Sequence, residues 1–398
     1  MLNAVGRDIP EEILKKTGKE VFQGSHHFDG HEFKKDGPKV RCVINQSGTK
    51  LLPSIREALE KCGIKDGMTL GFHHHFRNGD KVLNMVIEEC HKRGMECHAF
   101  FVTFPVGTER MVREQGMSSV VRRHPELCLR HQGSWYLDPG QPGTADYLLS
   151  LVDEVVRNYD LDGIQFDYIR YPDNAATFPD SASYRRYGRG RRRGDWRREN
   201  INHLMARIHD RVKQLKPWVQ VSSSPLGKYS KSGRTPHAKW TAYEDVFQDP
   251  KAWLQAGKQD MIVPMMYYRR NDFYPFVSTW LEQSGQRNMV AGLGAYRLNR
   301  HEGDWSLSEI SDQITYVRKQ GVKGCAFFRA GFVIGNEKGL YNELKNRFFK
   351  YPAQLPPLTW MSAATAAPCE PREVQVTRER GGLRLRWQGE PGCLYTLY

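Results

Sequence analysis

The residue with the clearest chemical use is an aspartate at the end of a short apolar run. Residues 161–172 read LDGIQFDYIRYP, with Asp167 just past Ile164 and Phe166. On a strand, Gln165 and Asp167 fall on one face and Phe166 on the other. A carboxylate there, beside Tyr168 and Arg170, is a candidate acid, base or nucleophile. The same spacing also suits a structural aspartate paired to Arg170.

The elements that must position Asp167 follow from the pattern on either side. Residues 145–159 have helical apolar spacing (Leu148, Leu149, Val152, Val155, Val156). A helix, a short loop, a buried strand and a loop stopped by Pro172 make the rhythm of a parallel sheet. In such folds chemistry sits at the carboxyl ends of the strands, which is where Asp167 falls. The rhythm recurs. Strands are predicted within 96–105, 218–225, 259–268, 288–296 and 324–329, and helices over 198–216, 307–320 and 338–348. A helix closing at Gly94 precedes the first of these strands, and 135–140 reads as a loop. Six strands alternating with helices indicate an α/β fold of (β/α) TIM type, short of its first two strands. No G-x-G-x-x-G or P-loop motif is present, which argues against a nucleotide enzyme.

Bulk properties narrow the class. The chain has 398 residues, a 39% hydrophobic content and a formal net charge of +14. No apolar run approaches the length that spans a bilayer. The first ten residues lack the apolar core of a secretory signal, so the sequence as given reads as soluble and cytoplasmic. Eight cysteines stand singly, without a C-x-x-C pair, giving neither a zinc framework nor a disulfide scaffold. Much of the charge lies in 184–198, YRRYGRGRRRGDWRR. Such a run can bind nucleic acid or an anionic polysaccharide, but the surrounding pattern favours an exposed loop and no nucleic-acid partner.

Residues 1–85 read differently. Strands are expected within 37–44 and 65–72, with an amphipathic helix over 52–62. The second strand ends in His73, His74 and His75. Only His73 and His75 share a face there, and Asp80 lies beyond a glycine turn, so a strand-to-loop corner is favoured over a metal site. No metal and no cofactor are expected anywhere in the chain. At the far end, 351–371 is a Pro- and Ala-rich linker. Residues 372–378 and 383–387 then alternate as two strands around Gly381-Gly382, a short β tail.

Two families resemble separate parts of the chain. Residues 1–85 resemble the amino terminus of the citrate lyase alpha subunit, a citrate CoA-transferase, through MLNAVGRDIP (1–10), GPKVRC (37–42), DGMT (66–69) and FHHHFR (72–77). That family uses a glutamate nucleophile which would lie beyond this fragment. Residues 86–350 resemble the glycosyl hydrolase-like 10 family through IEECHKRGM (87–95), LDPG (137–140), DGIQFDYIRYP (162–172), DWRRENI (195–201) and SSSP (222–225). The tail, 372–398, is similar to the first strands of a fibronectin type III module. The resemblances imply an incomplete barrel whose first two strands are replaced by a CoA-transferase-like segment. They also imply a gene fusion or an assembly artefact joined near Met85. The hydrolase family is typically exported, at odds with the cytoplasmic-looking start.

The second resemblance implies a hydrolase of bacterial polysaccharide, with amino-sugar glycans such as peptide-free peptidoglycan strands as the class. Alternatives are a non-catalytic carbohydrate-binding barrel and a citrate CoA-transferase fragment. Glycoside hydrolysis generally needs two carboxylates. Asp167 is the first choice, as general acid or nucleophile. Asp138 and Asp173 are the candidate partners, and one acid suffices if an N-acetyl group assists. Asp162, at the amino end of its strand, is read as structural. Trp135, Tyr168, Tyr171, Tyr267, Tyr268, Tyr296 and Phe328 are placed to stack on sugar faces or to pack the barrel top. His98 and Arg170 are placed to hold an anionic or hydroxyl group.

Overall fold

The computed structural model describes residues 11–17, 54–61, 82–351, 353, 355–356, 358–361, 370–379 and 381–389. The strands expected within 37–44 and 65–72, the His73–His75 corner and most of the citrate lyase-like segment lie outside these residues. The chain divides into two compact units, 1–51 and 52–398. In the first, Glu11–Thr17 is helical, with Glu11 and Glu12 in its first turn, where negative charge suits the helix dipole.

The second unit carries a curled six-stranded parallel sheet in the order β1-β5-β6-β7-β8-β9. Its strands are β1 (His98–Val102), β5 (Gly163–Asp167), β6 (Gln220–Ser223), β7 (Met261–Ile262), β8 (Asn288–Leu293) and β9 (Gly324–Phe327). All six were expected from the sequence. Between β1 and β5 the chain adds a three-stranded antiparallel sheet, ordered β2-β4-β3: β2 (Pro105–Thr108), β3 (Cys128–His131) and β4 (Ser134–Leu137). This corrects the loop expected at 135–140, whose first residues form β4.

Alternation on β5 builds both the core and the site. Ile164 and Phe166 are fully buried on the outer face. There they meet Leu148, Val152 and Val156, one stripe of the helix Pro142–Asn158. Gly163, Gln165 and Asp167 face the other way, and Gln165 Nε2 donates to Ser224 Oγ at 2.5 Å. A second cluster buries Ile262, Met289, Ala291 and Leu293 under Trp280, Ile310 and Ile314 of the helices Tyr274–Ser284 and Leu307–Lys319.

The amino ends of the strands are fastened by a repeated device. Asp162 accepts the Cys97 amide at 2.6 Å and His91 Nε2 at 2.8 Å. Asp260 accepts the Val221 amide at 2.8 Å and pairs with Lys213 Nζ at 2.8 Å. Each carboxylate precedes its own strand and takes an N–H from the neighbouring one, so Asp162 is structural as expected. Asp260 Oδ1 also accepts Trp360 Nε1 at 2.8 Å, and Arg287 lies 4.7 Å over that indole. This ties the stretch after the last helix to the amino end of the sheet.

The arginine run is more ordered than the expected loop. Ser181–Tyr187 is a helix, and Arg193–Leu215 starts five residues before the expected Arg198. The carboxylate of Asp180, fully buried, binds Arg193 and Arg197 together. Two of the eight arginines are therefore anchored by a carboxylate outside the run. Cys90, Cys97, Cys128 and Cys325 are free thiols, the first three buried. Among the described residues no helix is long and apolar enough to cross a membrane. The tail forms an antiparallel hairpin, β10 (Arg372–Glu379) with β11 (Gly382–Gln388), turning at Gly381 with φ +99°. The two strands were expected; nothing found supports the finer likeness to fibronectin type III.

Candidate active site

Asp167 ends β5 at the carboxyl side of the sheet. Its backbone carbonyl is held from the end of β1 by the Thr103 amide at 3.0 Å and Thr103 Oγ1 at 2.9 Å. Tyr168 follows in the left-handed region, φ +50°, a conformation that costs a non-glycine residue energy and collects at functional sites. That turn aims the Tyr168 amide back at Asp167 Oδ1, 2.8 Å away. Asp167 is 9% exposed. Burial raises its pKa above the ordinary carboxylate value, and the Tyr168 amide and the Arg170 charge only partly oppose that.

Aromatic rings close around it. Tyr267, in the segment after β7, lies near enough that the Asp167 charge helps to raise its phenol pKa, although burial is the larger cause. Tyr267 stacks on Phe328, with ring centroids 5.5 Å apart, and both meet Tyr296 edge-on. Tyr268 lies under Lys228 Nζ at 4.7 Å, and Lys228 pairs with Asp272 at 2.7 Å. The expected group Tyr168, Tyr267, Tyr268 and Tyr296 is thus brought to one end of the sheet with Asp167.

Arg170 is nearly fully buried, with its guanidinium 4.9 Å over the Tyr168 ring. Its Nη1 donates to Asp173 Oδ1 at 3.0 Å and to the Tyr171 carbonyl at 3.1 Å, while Nε has no partner among the described residues. Asp173 also accepts Trp240 Nε1 at 3.2 Å. Arg170 therefore joins Asp173 to the neighbourhood of Asp167.

Four expected residues lie elsewhere. Asp138 is buried, accepting from Ser183 Oγ and from the Gly140 amide at 2.8 Å; its electrostatic neighbours are Asp180 and Arg197, not Asp167. Tyr171 is fully buried, edge-on to Phe178 and Phe247 beneath Arg197, so it packs and offers no face to a sugar. His98 is the first residue of β1, which puts it at the amino end of the sheet. It bonds Glu96 at 3.0 Å and occupies the space over Gly163, where an added Cβ would meet its Nδ1 at 2.2 Å. Trp135 is held by Glu109 through Nε1 at 2.8 Å.

Tyr136, beside Trp135 on β4, points the opposite way. Its ring lies edge-on to His131 and Phe178, and its phenol pKa is raised by burial and then by Asp173. Trp135 and Tyr136 both lie on a strand where a loop was expected. Trp240, Lys228 and Asp272 were not expected in the site: Trp240 and Lys228 lie in a stretch rich in Gly, Ser and Pro, and Asp272 ends the charged run 269–272. Among the described residues no group of three or more His, Cys, Asp or Glu could hold a metal ion.

A buried acid ringed by aromatic side chains at the carboxyl ends of parallel strands defines a glycosidase-like α/β protein. Residues 40–290 match the model of the family described as glycosyl hydrolase-like 10, and the chain belongs to that family. The match starts upstream of residue 86, where the motif resemblance begins. Glycosyl hydrolase YngK of Bacillus subtilis is 29% identical over 328 residues, covering 78% of this chain and 64% of that relative. The chain thus spans less than two thirds of that relative's length. The citrate lyase alpha chain of Haemophilus influenzae is 49% identical over 47 residues, 12% of this chain and 9% of its own. Among solved structures, the PgaB (BpsB) glycoside hydrolase domain from Bordetella bronchiseptica is similar, with a TM-score of 0.47 and 14% identity. That alignment covers 68% of this chain and 80% of that one.

Proposed function

We propose that this chain hydrolyses a bacterial polysaccharide of amino sugars, of the kind found in peptidoglycan strands freed of peptide, with Asp167 as the proton donor. The observation that carries this reading is the buried carboxyl of Asp167, weakened as an acid by its surroundings, among Tyr168, Tyr267 and Tyr296. A carboxyl whose pKa is held above the ordinary carboxylate value by burial suits a general acid better than a nucleophile. Asp167 gives its proton to the glycosidic oxygen as the C1–O bond breaks, and water then adds at C1. Asp173 is the second carboxylate of the proposal. Its Oδ1 is taken by Arg170 and Trp240, and no described residue bonds Oδ2, which is left to accept a proton from that water. The test compares wild type with Asp167→Asn on peptide-free glycan strands, reading new reducing ends and binding separately. Binding kept with turnover lost supports the enzyme. No turnover by either protein, with binding by both, makes the chain a carbohydrate binder instead.

The fusion reading is also a proposal. It is supported by 49% identity over 47 residues to a protein of unrelated chemistry within a hydrolase-family chain. Amplification from codon 1 through codon 100 of source DNA tests it, since the hydrolase-family match already begins at residue 40. One continuous product upholds a real fusion, and two separate genes make the chain an assembly artefact.

A further inference from the structure

Trp240 has so far been given no role beyond its hydrogen bond to Asp173, yet its exposure and its backbone oppose folding economy and its ring is held in place. The side chain is large and apolar but 46% exposed, so much of the stabilisation that burial would give is forgone. Its backbone is in the left-handed region at φ +56°, which is unfavourable for a residue with a bulky side chain. Its indole N–H is committed to Asp173 Oδ1 at 3.2 Å, which fixes the ring's orientation. Tyr168 repeats the combination, 43% exposed at φ +50°. Both aromatics are held by one ion pair: Arg170 lies over the Tyr168 ring at 4.9 Å and donates to the same Asp173 oxygen at 3.0 Å.

Strained backbone that holds exposed aromatic faces beside a buried acid serves binding more readily than stability. A ring fixed before the ligand arrives loses little freedom on binding. The C–H face of a pyranose is apolar and flat, and its hydroxyls point outward from the rim. An indole whose N–H is already satisfied offers that face a surface of matching size.

We propose that Trp240 is a sugar-binding platform, positioned by Asp173, which stacks on a pyranose ring of the glycan chain next to the unit held at Asp167. This rests on the glycan-hydrolase reading of the site and adds to it an extended binding cleft whose second subsite recognises a ring by its face. Such a platform favours polymer over a single glycosidic unit.

The test uses the full chain carrying Asp167→Asn, so that binding is read without turnover, with chitohexaose as the probe followed by titration calorimetry and tryptophan fluorescence. Adding Trp240→Ala is expected to weaken binding about tenfold, or ~1.4 kcal/mol. Adding Trp240→Phe, which keeps a stacking face, is expected to recover most of it. The ring is exposed, so the urea midpoint should not move, and the loss then belongs to binding and not to folding. Equal affinity with and without Trp240 overturns the platform and leaves the hydrolase reading standing. Binding of neither chitohexaose nor cellohexaose by the Asp167→Asn protein overturns both.

Discussion

Replacing Asp167 by asparagine should make the protein more stable at neutral pH while stopping its chemistry. The carboxyl is 9% exposed, and burial lifts its folded-state pKa against the pull of the Tyr168 amide and Arg170. In the unfolded chain the same group titrates near pH ~3.9. The folded protein therefore binds this proton more tightly than the unfolded chain does. The sign follows from linkage: stability is highest below the unfolded pKa and falls as pH rises from there through the folded pKa, above which the full penalty stands. Each pKa unit between the two states costs about 1.4 kcal/mol. For domains of a few hundred residues a kcal/mol moves Tm by about 2–4 °C, so each unit is worth roughly 3–6 °C. Asparagine keeps the acceptor that the Tyr168 amide needs and has no charge to desolvate. Asp167→Asn should thus melt higher than wild type at pH 7, and the gain should disappear at pH 3. Turnover should fall about 10²–10⁴-fold, the usual reach of a general acid. In wild type, the rate should fall as pH rises through the raised pKa, because the donor is then lost. Thermal melts at both pH values, run beside reducing-end release, measure all of this. A variant that melts lower at pH 7, or retains a rate near wild type, refutes the reasoning. The carboxylate would then be structural, stabilised by its neighbours rather than strained by them.

Asp173→Asn should cut turnover about 10²-fold or more if the carboxylate is the base. Chitohexaose binding should be kept, since the amide oxygen still accepts from Trp240; loss of binding in parallel with rate would make Asp173 an anchor alone. Asp180→Ala leaves the buried guanidinium of Arg197 without its partner and should cost about 3–5 kcal/mol in urea unfolding. Trp360→Phe removes a hydrogen bond to the buried Asp260 carboxylate and should cost about 1–3 kcal/mol, with faster proteolysis of the segment after residue 351.

The six strands and the place of Asp167 at the end of one were legible because short-range alternation encodes them. Ile164 and Phe166 against Gln165 and Asp167 is a period-two pattern that holds wherever one face meets a helix. The residues that went astray are those whose surroundings come from far along the chain. Tyr171 looks like a strand-end platform until Arg197, 26 positions later, covers it. Asp138 looks like a free carboxylate until the helix Ser181–Tyr187 brings Ser183 to it. Trp135 was read on a loop, because β4 exists only as the middle strand of an antiparallel sheet outside the βα rhythm. His98 is different, because its place was legible. The first residue of a parallel strand lies at the amino end, away from the chemistry, and the rule that selected Asp167 also excludes His98.

The tie between Trp360 and Asp260 has a mechanical consequence. Asp260 heads its strand and Asp167 ends one, and the strands run parallel, so the tether and the acid occupy opposite rims of the sheet. A pull on the chain beyond residue 361 is met first by the indole, by Arg287 stacked on it and by the carboxylate that also grips Val221 and Lys213. The load is shared with the strand roots and is grounded there, a sheet's depth away from Asp167. Force on the tail is thus taken up at the amino ends of the strands before it can disturb the alignment of Asp167.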